Sequence, residues 1–139
     1  MAIPSSSGSS STLLFQSDRT FRVWRYGVGH SQLLLRAAPD AVEATRLDLL
    51  FEGVDAMRLV TRYEAIELHS VSETEFQRIY DESGLDPKWK PHRLIVALRS
   101  GSGSGYVQCQ KASAMRGAAN GLGPDEPSES VDVIWSLRR

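Results

Sequence analysis

Thr45-Arg46-Leu47-Asp48-Leu49-Leu50-Phe51-Glu52 is the stretch on which the fold turns. Leu47, Leu49 and Phe51 fall two apart, and Arg46, Asp48, Leu50 and Glu52 occupy the alternate positions. Successive side chains of an extended chain point to opposite faces, so this alternation describes a strand with one oily face and one largely polar face. Gly53 follows and permits a turn.

Reading outward, further segments carry strand character. Residues 21–28 place Phe21 and Val23 on one face and Trp24, Tyr26 and Val28 on the other, which predicts a central strand covered on both sides. Gly29-His30 fits a two-residue hairpin turn into 32–36, with Leu33, Leu34 and Leu35. Residues 56–61, 64–71, 93–99, 105–111 and 131–137 complete a set of eight strands, with 12–16 a ninth candidate. In 64–71, Ile66 and Leu68 point inward and Glu67 and His69 outward. Ser72-Glu73-Thr74-Glu75 is a capping box, Phe76, Ile79 and Tyr80 share one helical face, and Gly84 is placed to end that helix. Short links between successive strands require antiparallel pairing. The expected class is therefore α+β, mostly antiparallel β: a barrel-like or two-layer sandwich of about eight strands with one short helix. Residues 1–11 read as a disordered tail, 12–139 as a single domain, and 117–130, rich in Gly and Pro, as a flexible loop.

The chain has 139 residues, a formal net charge of −1 and one cysteine, Cys109. That balance argues against a general nucleic-acid binder, and a lone cysteine cannot form an internal disulfide. No apolar run approaches a membrane span or a signal peptide, so the expected compartment is cytoplasmic. Thirteen arginines against three lysines have two readings: cross-strand ion pairs, or an Arg-lined site for an anionic ligand.

The search for chemistry returns little. Gly101-Ser102-Gly103-Ser104-Gly105 lacks both the Lys-Ser/Thr of a phosphate loop and a following helix, and reads as a hairpin loop. His30, His69 and His92 lie on separate segments with no second His or Cys nearby, so neither a metal nor a cofactor is expected. Cys109 reads as a small buried residue. Glu67 with His69, and Arg46 with Asp48, share strand faces; both pairs read first as polar decoration of a solvated sheet and otherwise as part of an acid–base site. Trp24, Tyr26 and Trp135 read as core, or as the lining of a cavity inside a wide barrel. Trp89, between Lys88 and Lys90, reads first as a lid over one end of the core and otherwise as an exposed anchor for a protein partner.

The stretch from Phe21 to Arg36 (FRVWRYGVGHSQLLLR) and that from Thr45 to Met57 (TRLDLLFEGVDAM) together resemble a family of small uncharacterised bacterial proteins with an aromatic strand, a turn histidine, a Leu-Leu-Arg strand and a Thr-Arg-hydrophobic-Asp strand. The resemblance covers about the first half of the domain and implies a bacterial, cytoplasmic protein, with no activity attached. The functional expectation is a non-catalytic protein-interaction or ligand-binding domain, accessory or immunity-type, that contacts another protein or a small ligand but neither nucleic acid nor membrane. Its candidate contacts are Trp89, His30, Arg46, Asp48 and His69. The alternative is an enzyme whose site assembles from distant residues around His69, Glu67 and Asp48.

Overall fold

The computed structural model describes residues 11–117 and 131–139. The strands are β1 (Leu13–Gln16), β2 (Thr20–Gly27), β3 (Gln32–Ala37), β4 (Arg46–Glu52), β5 (Ala56–Arg58), β6 (Arg62–Glu64), β7 (Glu67–His69), β8 (Leu94–Ser100), β9 (Gly103–Cys109), β10 (Lys111–Gly117) and β11 (Asp132–Arg138), with one helix, α1 (Glu73–Ser83), between β7 and β8. They form a five-stranded sheet in the order β1-β7-β8-β9-β5 and a six-stranded sheet in the order β11-β10-β4-β3-β2-β6. Every pairing is antiparallel. Among the described residues no ladder joins the two sheets, so the architecture is a sandwich and not a closed barrel.

The core lies between the sheets. Phe21, Leu33, Leu35, Leu49 and Phe51 enter it from the six-stranded sheet, and Leu68, Val96, Leu98 and Val107 from the other. Each such side chain gives about 1.5–3 kcal/mol on burial. The alternation read in residues 45–52 is therefore the inner face of β4, a central strand flanked by β3 and β10.

The ninth candidate forms as β1, and the strand count rises from nine to eleven for two physical reasons. Residues 64–71 are not one strand. Ala65 adopts φ +52°, a left-handed conformation, and there the chain leaves β6 in one sheet and enters β7 in the other. Residues 111–117 form a full strand whose Ala112 and Ala114 are buried opposite Phe51 and Leu49. Gly117, expected to open a loop, is the last residue of β10; the rest of that loop and residues 1–10 of the expected tail lie outside the described residues.

Two local expectations are corrected. Residues 21–28 are not covered on both sides: Trp24, Tyr26 and Val28 are exposed. The Gly29-His30 turn is a 3₁₀ turn over Val28–His30, closed by Ser31 at φ +50°. The helix forms as its sequence requires. The Ser72 hydroxyl accepts from the Glu75 amide at 3.2 Å, and Gly84 ends the helix at φ +73°. Ile79 and Tyr80 pack on Ile95, so α1 roofs part of the outer face of the five-stranded sheet. No helix among the described residues is long and apolar enough to cross a membrane.

Candidate functional site

The first half of the polar face of β4, Arg46 and Asp48, is buried. Asp48 accepts from Arg36 Nε at 2.8 Å and Arg36 Nη2 at 3.0 Å, and from Arg46 Nε at 3.2 Å. The side chains of Arg36, Arg46 and Asp48 are 6%, 10% and 8% exposed. Register explains the geometry: Arg36 sits directly across from Asp48 on β3, and Arg46 is two residues before it on the same face. Gly117, across from Arg46 on β10, makes the room, because a Cβ there would stand 2.7 Å from Arg46 Nη2. The reading of Arg46 and Asp48 as solvated decoration is thereby overturned. They are two of three members of a buried trio carrying one net positive charge, an arrangement that is costly to desolvate.

The row continues beyond the trio. Arg62 on β6 is across from Arg22 on β2, and Arg22 is across from Arg36 on β3. Three arginines thus stand abreast on adjacent strands, with Asp48 next in line. Like charges directly opposite destabilise a sheet by about 0.2–1 kcal/mol per pair. Arg62 is relieved by Glu64 at 2.6 Å and Arg36 by Asp48. Arg22, in the middle, is exposed and has no hydrogen-bond or ion-pair partner among the described residues.

Trp24 stands over this row. The β2–β3 register shifts between Val23 and Arg25, so Trp24 is the extra residue of a bulge, a device that re-aims a side chain. Its ring lies over Arg36, 5.2 Å from Cζ to the centroid, and 42% of the residue remains exposed. Arg22, Trp24, Arg36 and Arg62 line one concavity of about 550 Å³ together with Arg19 and the turn at Pro39–Glu43. Its carboxylates are largely engaged. Asp40 accepts from the Val42 and Glu43 amides at 2.8 and 2.7 Å, which hold its carboxyl below the usual range, and Glu43 accepts from the Thr45 hydroxyl.

The remaining candidates scatter. His69 Nε2 is 2.8 Å from Glu67 Oε1, while its buried Nδ1 has no partner among the described residues. This pair lies on the outer face of the five-stranded sheet, whereas Asp48 lies on the outer face of the other, so the three residues do not converge. Glu67 borders a concavity of about 640 Å³ that His69 does not line. His30 is exposed in its 3₁₀ turn. Trp89 is no lid: it is 43% exposed on the 3₁₀ segment Pro87–His92, with Lys88 Nζ 5.2 Å from its ring and His92 edge-on at 6.5 Å. Burial pushes the Cys109 thiol up to about 12, which suppresses its thiolate. Among the described residues no three His, Cys, Asp or Glu side chains gather in a way that could hold a metal ion.

Sequence reading named Arg46 and Asp48 but missed Arg22, Arg36 and Arg62 as site residues. The available signal was the excess of arginine over lysine. The register that lines the arginines up depends on the Trp24 bulge and carries no local signature.

Fold and site together define a two-sheet β-sandwich with one roofed outer face and one outer face bearing arginine and tryptophan. No protein-family model, curated protein or solved structure matches the chain, so the family resemblance seen in residues 21–36 and 45–57 has no counterpart among them.

Proposed function

We propose that the chain is a non-catalytic binding domain and that the Arg22–Trp24–Arg36 face is its binding surface. The observation that carries the reading is the arginine row with an unrelieved centre: an exposed arginine whose register partners on both neighbouring strands are arginines, near an exposed indole, is stabilised by an incoming anion. Trp and Arg are also the residue types that dominate interface energetics. A protein partner seated there would make this an accessory or immunity-type domain, and a small ligand would make it a ligand-binding one. The enzyme alternative loses support because the Asp48 carboxylate is spent on two guanidiniums, away from His69 and Glu67. Nucleic acid is disfavoured by the net charge of −1 and by the shortness of the basic row.

The test is heteronuclear NMR of the whole chain titrated with polyglutamate and, separately, polylysine, with the Trp24 indole signal assigned from Trp24→Phe. Polyglutamate should shift the Trp24 indole and Arg22 signals, and polylysine should not. Polylysine acting on Trp24 as strongly as polyglutamate, or no anionic species moving Trp24 at all, would reject the reading.

A further inference from the structure

Resting on that reading, we infer that the concavity beside Trp24 takes a small organic anion whose charge is carried on a flat ring. Three features point to this ligand class. Size is the first: about 550 Å³ falls within the range of small-molecule sites and is concave, unlike a flat docking face. The indole is the second. Arg36 occupies one side of the Trp24 ring at 5.2 Å, and Asp48 fixes the guanidinium with a two-point fork at 2.8 and 3.0 Å, so the ring is backed by a rigid, buried cation. A flat ring can stack on the remaining exposed side at little ordering cost. The third is Arg22, exposed and without a partner among the described residues, with Arg36 across from it on one side and Arg62 on the other. Its planar fork matches a carboxylate or a phosphate bidentately.

The division of labour follows. The ring lies on Trp24, the anionic group takes Arg22, and Arg36 is a positioning residue already committed to Asp48. The carboxylates around the concavity come from Asp18 and the turn bearing Asp40 and Glu43. They disfavour a ligand with negative charge at both ends and favour one with a single anionic group. An aromatic carboxylate and a nucleoside monophosphate share this chemistry, and the experiment has an arm for each.

The experiment titrates the whole chain with salicylate, adenosine monophosphate, adenosine and inorganic phosphate, following the Trp24 indole signal. At least one of the two ring-bearing anions should bind about tenfold or more tighter than both adenosine, which lacks the charged hydrogen bond, and inorganic phosphate, which lacks the stacked ring, each contribution being worth about that factor. The arm that binds identifies the carboxylate or the phosphate as the anionic group. Arg22→Gln should remove about tenfold of the anion's affinity and leave adenosine unchanged, with the unaltered remainder of the spectrum reporting an intact fold. Equal binding of adenosine and its monophosphate, together with no gain for salicylate over inorganic phosphate, overturns the inference, as does an Arg22→Gln variant that binds the anion normally. If both ring-bearing anions fail while polyglutamate still moves Trp24, the small-ligand inference falls and the binding-domain reading stands. If none of them moves Trp24, both fall.

Discussion

Each sheet of the sandwich has an Asp–Arg pair, on the outer face of the six-stranded sheet and in the segments that lead into β5 and β8 of the other, and the two are treated differently. On the five-stranded sheet, Arg93 Nε donates to Asp55 Oδ2 at 2.6 Å, while Gln108 donates to Asp55 and to Ser83 Oγ at 3.3 and 3.1 Å. Ser83 belongs to α1, so this network ties the roofing helix to the sheet. On the six-stranded sheet, Asp48 carries two arginines, a third stands beside them, and a single tryptophan lies over the row. The first network closes on itself apart from Gln108 Oε1, which has no partner among the described residues. The second leaves Arg22, between Arg36 and Arg62 in the row, with charge to spare. Buried polar groups of the first kind act as glue; a cation left unrelieved within the second kind is a cost that a ligand can recover.

The largest expected effect separates the two carboxylates. Asp48→Asn leaves the side-chain shape but removes the charge that Arg36 and Arg46 share, and should destabilise the fold by about 3–5 kcal/mol. Asp55→Asn touches one arginine at a more open position, its side chain being 18% exposed, and should cost about 1–3 kcal/mol. Urea unfolding of both variants checks the order; equal losses would erase the distinction between the faces.

Gly117→Ala probes the same contrast from beneath. The added methyl meets Arg46 Nη2, which Asp48 holds in place, so a loss of about 1–3 kcal/mol is expected. Combined with Arg46→Ala, most of that loss should vanish, since the clash has lost its partner. Strict additivity in the double-mutant cycle would mean that Gly117 is needed for its backbone alone. On the roofed side, Ser72→Ala removes the helix cap and should cost about 1 kcal/mol, measured by thermal unfolding, with no change in ligand response at Trp24.

How far each face could be read from the sequence follows the range of the forces that build it. The helix was legible because a capping box, an i, i+3, i+4 face and a C-terminal Gly all act within a dozen residues. The inner face of β4 was legible because burial stamps a period of two, and β3 and β8 were legible as strands from short continuous apolar runs. β10 was not, since Ala112 and Ala114 carry little strand propensity and are small because Phe51 and Leu49 fill the space opposite. The break at Ala65 left no mark, because a non-glycine residue at positive φ looks like any other alanine. The same limit governs the site. Arg46 and Asp48 are neighbours on one strand and could be paired on paper, whereas Arg62, Arg22 and Arg36 come together only through the registers of three strands and one bulge.

The smallest effect is the most discriminating, because its sign differs between the two roles Arg22 could have. If Arg22 were there for stability, Arg22→Gln would weaken the fold. The row predicts the reverse: with Arg36 and Arg62 directly across from it on either side, replacing the central charge relieves two like-charge pairs. Asp48 and Glu64 already offset part of the charge on Arg36 and Arg62, so the two pairs together should yield a rise in stability of about 0.2–1 kcal/mol in low salt. Salt screens exposed charges over roughly 10 Å at 0.1 M, so the gain should shrink as ionic strength increases. The measurement is the urea midpoint of the wild type and the variant at two salt concentrations, beside their affinities for the ring-bearing anion. A variant that is more stable and binds less is what a residue retained for its ligand looks like; one that is less stable and binds equally well would place Arg22 with the glue of the other sheet.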